Sequence, residues 1–98
     1  MFPELSNTPS KPGVYIFKDR KERVLYIGKA KNLRNRLMSY FQESANLDQR
    51  KATMVKMVKD FSYIVTDNEL EALILEANLI KQHKPKFNII LRDDKNYP

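Results

Sequence analysis

The chain has 98 residues, 18 of them lysine or arginine and 12 aspartate or glutamate, for a net charge of +6. A hydrophobic share of 42% beside 31% charged residues describes a single globular domain, 1–98, with one modest core, and excludes a disordered chain. No run of about 18 apolar residues and no leader pattern occurs, so no membrane partner is expected, and the absence of cysteine excludes a disulfide framework and fits a cytoplasmic protein.

The first β-rich run is Val14 to Phe17 and the second Val24 to Ile27, with Gly13 and Gly28 at their flanks. The polar segment Lys18 to Arg23 between them marks a hairpin. A turn centred between Arg20 and Lys21 would set Tyr15 opposite Tyr26, their side chains sharing one face. Gly28 would let a backbone or a phosphate approach closely.

Between Lys29 and Met38 lie four cations, Lys29, Lys31, Arg34 and Arg36, and no acid. A total charge alone suits a solvated basic surface equally well. A local stretch of one sign points instead to phosphate, whose neutralisation releases counterions. Asn32 can cap a helix reaching about Gln42, with Leu33, Leu37, Tyr40 and Phe41 inward and Arg36 at the edge of that face.

A second helix is expected over Arg50 to Lys59, with Met54, Val55 and Val58 inward. Phe61 to Thr66 alternates as a third strand. Thr66 and Glu69 form a capping box for the longest helix, about Asn68 to Lys84, which Pro85 stops. The remaining tail is polar at its end, and Tyr97-Pro98 reads as a cut through a longer chain. The expected fold is α+β, in the order β-β-α-α-β-α: a small, mostly antiparallel three-stranded sheet with flanking helices.

Glu76 is the residue of most interest on the last helix. Ala72, Leu73, Leu79 and Ile80 fall within about 60° of it on the helical wheel. A carboxylate in an apolar stripe is costly unless it is paired or binds a metal. Spacing alone leaves a buried salt bridge to an arginine and a metal site equally open. Glu69 and His83 share the face, but at about 10 Å along the axis they cannot reach the same ion. One carboxylate with several waters suits magnesium.

Paired tyrosines are more often packing than chemistry. Here the strings around them carry a resemblance. Gly13-Val14-Tyr15 with Tyr26-Ile27-Gly28 resembles the paired motif of the GIY-YIG nuclease family, valine standing where the family has isoleucine. Arg36, Glu76 and Asn88 fall at further positions of that family's site. Tyr26 to Leu33, Glu71 to Lys81 and Leu91 to Lys95 are similar to its excision-repair branch, and the likeness covers nearly the whole chain.

The resemblance implies a DNA endonuclease that hydrolyses a phosphodiester with one divalent ion, Mg2+ or Mn2+, on the 3′ side of a lesion in bacterial nucleotide excision repair. It implies Tyr26 as general base, its pKa lowered by Lys29 and Arg36, with Arg36 also stabilising phosphoryl charge. Glu76 would be the metal ligand and Tyr15 an orienting group. Lys29, Lys31, Arg34, Tyr40 and Asn88 would contact phosphate. The implied partners are damaged double-stranded DNA and a UvrB-like damage-recognition subunit, with no small-molecule substrate. Two rivals share the scaffold: a non-catalytic nucleic-acid-binding module, and a module that docks an acidic repair partner.

Overall fold

A computed structural model describes residues 3–42 and 47–93. After a 3-10 turn at Pro3–Asn7, strands β1 (Gly13–Lys18) and β2 (Val24–Ala30) form the hairpin. Helices α1 (Leu33–Phe41) and α2 (Gln49–Met57) follow, then strand β3 (Asp60–Val65) and helix α3 (Glu69–His83). The sheet is antiparallel throughout, in the order β2-β1-β3. This is the expected α+β architecture with one addition, α4 (Lys86–Asp93), where only a tail was expected. Pro85 does stop α3, after Lys84 turns the chain in a left-handed conformation (φ 48°). A proline at that point also suits the entry to a new helix, because its missing N–H is no loss in a first turn. Asp94, Lys95, Tyr97 and Pro98 lie outside the described residues.

The hairpin register differs from the expected one. Tyr15 stands opposite Gly28, and Phe17 opposite Tyr26, with an irregularity between Phe17 and Lys18. The cause is the loop. Asp19 accepts the backbone N–H groups of Lys21 and Arg23 and the Arg23 guanidinium, at 2.8 to 3.0 Å. Glu22 closes the loop with φ 61°. That wider turn moves the pairing by two residues. A shift of two preserves the face, so Tyr15 and Tyr26 remain on one side as diagonal neighbours.

Helices cover both sides of the sheet, so the central strand β1 is apolar on both faces. One face gathers Tyr15, Phe17 and Phe61 against Leu33, Leu37 and Tyr40 of α1, Met54 of α2 and Phe87 of α4. The inward residues expected for α1 and α2 are therefore in place. The other face is smaller: Val14, Ile27 and Ala72, with Leu75, Leu79 and Ile80 of α3 packed beside them.

The orientation of α3 corrects two expectations. Leu73, expected to be inward, is 46% exposed, as are Leu70 at 64% and Ile74 at 54%. Apolar residues cover most of this helix's circumference, so periodicity does not pick out the buried face. Its cap is Asn68 rather than Thr66: the Asn68 side chain accepts the Glu71 N–H at 2.8 Å, and Glu71 reaches back to the Asp67 N–H at 3.2 Å.

Candidate active site

Three tyrosines meet on the α1 side of the sheet. Tyr15 comes from β1, Tyr26 from β2 and Tyr40 from α1. The Tyr15 and Tyr40 hydroxyls are 3.2 Å apart, and the Tyr15 ring lies 5.8 Å from that of Tyr40 and 6.1 Å from that of Tyr26. Gly28 makes the cluster possible. A side chain there would run into the Tyr15 hydroxyl and its Cζ, so the room at Gly28 is filled by the Tyr15 ring rather than kept for a backbone or phosphate. No left-handed backbone is needed at Gly28; space alone selects glycine.

Burial sets the tyrosines apart. Tyr15 and Tyr40 are 2% and 5% exposed, whereas Tyr26 is half-buried and opens to solvent. Burial first, then the neighbouring Tyr40, hold the Tyr26 phenol well above its ordinary pKa; Glu76 pushes the same way and Arg36 only partly opposes them. The expectation that surrounding cations lower this pKa is thus overturned for the protein on its own. Desolvation of a phenolate outweighs one exposed guanidinium. Tyr15 is raised too, chiefly by its burial.

Glu76 approaches from the opposite layer. Its Oε2 accepts the backbone N–H of Lys29 at 3.1 Å, tying α3 to the end of β2 one residue past Gly28. The carboxylate is half-buried at the margin of the α3 stripe, not in its middle, because Leu73 points away. Among the described residues no cation forms an ion pair with it, which answers the buried-salt-bridge reading. Burial raises its pKa against the opposing Lys29 N–H and ammonium. A half-buried carboxylate with one oxygen engaged by a backbone N–H and no ion pair among the described residues is suited to a divalent ion. No cluster of three acidic or histidine ligands occurs among the described residues, so an ion here would keep most of its water, as magnesium prefers.

Arg36 is exposed on α1, and its field reaches both Tyr15 and Tyr26. Lys29, within β2, and Lys31, just past its end, are exposed as well. Arg34 is used otherwise: its guanidinium donates to the carbonyls of Thr8 (3.0 Å) and Ser6 (2.7 Å), pinning the N-terminal turn to α1. That accounts for Arg34 without a phosphate. Asn88 is equally engaged. Its Oδ1 accepts the Ile27 N–H and its Nδ2 donates to the Ile27 carbonyl, both at 2.8 Å. The side-chain amide thus pairs with the open edge of β2 between Tyr26 and Gly28, as a further strand would. Sequence pattern gave no sign of this clamp, since its two partners are 61 residues apart.

A phenol, a guanidinium and an unpaired carboxylate surround one strand end, Tyr26 to Lys29. Such a set can hold a phosphate between positive charge and a metal-binding oxygen.

Known proteins share this chain's sequence pattern and fold. The UvrC-like GIY-YIG domain family matches residues 11–89. The chain is 59% identical over 95 residues to UvrABC system protein C of Acetivibrio thermocellus, and 58% over 94 residues to that of Caldicellulosiruptor saccharolyticus. These alignments cover 97% and 96% of the chain but only 15% and 16% of the two longer proteins. The fold superposes on the crystal structure of the GIY-YIG N-terminal endonuclease domain of UvrC from Thermotoga maritima, bound to magnesium as its catalytic divalent cation. The TM-score is 0.74 at 41% identity, over 89% of this chain and 98% of that one. Variants of that domain at one asparagine and at three tyrosines have also been solved bound to the catalytic divalent cation.

Proposed function

Because the chain belongs to the UvrC-like GIY-YIG family, we propose that it is an endonuclease domain that makes the 3′ incision of bacterial nucleotide excision repair, working on damaged duplex DNA delivered by a UvrB-like subunit. The observation that carries this reading is the convergence of Tyr26, Arg36 and Glu76 on the end of β2, each from a different element.

The reaction is in-line attack of water on phosphorus, with the bond to the 3′ oxygen breaking. Arg36, exposed and without an ion pair among the described residues, meets the phosphoryl oxygens as they gain charge. Lys29 adds a second cation at the same strand end, with Lys31 behind it. Tyr26 is the one tyrosine of the cluster with its face open to solvent, and it takes the proton of the attacking water. Tyr15 and Tyr40 fix its ring and keep its rear dry. Glu76 would hold a divalent ion through the carboxylate that Lys29 N–H orients. When bound there, a single Mg2+ or Mn2+ ion would supply positive charge to offset the burial of an ionised Tyr26 and to favour departure of the 3′ oxygen. Asn88 holds the β2 edge on which Tyr26 stands.

The test is a nicking assay on duplex DNA with one lesion, in the presence of the loading subunits and with magnesium, manganese or EDTA. A single incision 3′ of the lesion, lost in EDTA, is expected. Incision that persists in EDTA, or a protein that binds the substrate and never cuts it, would overturn the reading.

A further inference from the structure

The hairpin loop and the end of α2 enclose a groove of about 600 Å³. Five cations line it: Arg20, Lys21 and Arg23 from the loop, Lys56 from the last turn of α2 and Lys59 from the α2–β3 connection. Asp19 is the one acid of the lining, and its charge is spent within the loop on the Lys21 and Arg23 N–H groups and the Arg23 guanidinium. Those three bonds, with the Arg23 backbone first, hold its carboxyl below the usual range, so it stays ionised and engaged. Glu22 and Asp60 fall outside the lining, and the Asp60 carboxylate accepts the Phe61 N–H at 2.9 Å. The cations of Arg20, Lys21, Lys56 and Lys59 form no ion pair among the described residues.

None of these residues belongs to the site at Tyr26 and Glu76. The groove lies at the Val24 end of β2, and Glu76 meets the strand at Lys29, toward its other end. From Val24, where the loop ends, to Gly28 is four residues, or about 13 Å of strand. DNA advances about 3.4 Å per base pair, so the interval corresponds to roughly four base pairs.

We propose that this groove is a second DNA contact, holding the phosphate backbone about four base pairs from the bond that is cut. The inference deepens the endonuclease reading and rests on it. Its chemistry is that of phosphate and not of a base edge: flexible lysines and arginines over an open groove, with no element shaped to enter a major groove. Two anchoring points along one strand fix the direction in which the duplex crosses the domain. A single basic patch around Arg36 cannot do that.

The experiment is fluorescence anisotropy with a labelled undamaged duplex of about 20 base pairs, in EDTA so that nothing is cut. Wild type, Lys56→Gln/Lys59→Gln and a control of equal charge, Lys81→Gln/Lys84→Gln on the exposed end of α3, are compared over a range of salt, with circular dichroism to confirm folding. The groove variant is expected to bind about tenfold more weakly, with a salt slope reduced by about 1.8 for two lost phosphate contacts. The control should stay within about twofold, with its slope unchanged. Equal loss in both variants would show that net charge alone matters and would overturn the groove. Loss of binding to a polyglutamate peptide in place of DNA would also overturn it, assigning the groove to an acidic protein. Wild type that fails to bind duplex at all would overturn the groove, while the endonuclease reading, in which a loading subunit delivers the DNA, stands or falls by the nicking assay.

Discussion

Gly28→Ala tests how the tyrosine cluster is built. The new methyl carbon would sit within 2.9 Å of Tyr15 Cε2 and closer still to its Cζ and hydroxyl. Tyr15 has little freedom to yield, being 2% exposed and packed against Phe17, Tyr26 and Tyr40. Overpacking of this kind costs about 1–3 kcal/mol. In a domain of this size each kcal/mol lowers Tm by about 4–8 °C. Displacement of the Tyr15 ring also breaks the 3.2 Å contact with Tyr40 and tilts Tyr26, so nicking should fall further than stability does. Thermal melts of Gly28→Ala, Tyr15→Phe and the double variant form a cycle. Removing the hydroxyl relieves part of the clash, so the two changes should be non-additive by about 0.5–3 kcal/mol. A Gly28→Ala protein with wild-type Tm and wild-type nicking would refute the account of Gly28. Additive behaviour in the cycle would refute Tyr15 as the atom group it meets.

Arg36→Ala should leave Tm almost unchanged, since the side chain is exposed, and should slow nicking by about 10²–10³; a normal single-turnover rate would remove Arg36 from the site. Leu37→Ala should cost about 2–5 kcal/mol by opening a cavity at a fully buried position. Leu73→Ala, at 46% exposure, should cost within about 0.5 kcal/mol, and the pair is compared by denaturant melts. Asn88→Ala breaks two bonds to Ile27 and should cost about 1–3 kcal/mol, with faster hydrogen exchange at the Ile27 amide as the local signature.

What the sequence showed and what it hid divides along physical lines. Local signals were legible. Asn32 does cap α1, accepting the Asn35 N–H at 3.1 Å, and Leu33, Leu37 and Tyr40 do face inward. Glu76 stood out because an acid flanked by Ala72, Leu73, Leu79 and Ile80 needs an explanation, and it is found half-buried with the Lys29 N–H as its partner. The hairpin register was not, because hydrogen bonds inside the Asp19 loop, not the strand pattern, set its width. The α3 orientation was hidden by too many apolar residues: Leu70, Leu73 and Ile74 could have been core and are not. The charge pattern that suggested Arg34 and the resemblance that suggested Asn88 could not show the structural bonds both make, to backbone carbonyls and to the Ile27 edge, because those partners are distant in sequence.

Glu76→Gln with a manganese titration addresses the central claim most directly. Glutamine keeps an oxygen for the Lys29 N–H, so at neutral pH the metal-free variant should melt within about 0.5 kcal/mol of wild type or slightly above it. The sign follows from the raised pKa of Glu76: folding disfavours the charged form, and that penalty disappears as pH falls through the folded and then the unfolded value. Any advantage of the variant should therefore be present at pH 7 and gone by about pH 4. Manganese at about a hundredfold its Kd should stabilise the wild type by about 2.7 kcal/mol and leave the variant unmoved, as read by calorimetric melts. A variant that loses about 3–5 kcal/mol without metal, beside a wild type indifferent to manganese, would contradict the metal site and identify Glu76 as one half of a buried ion pair.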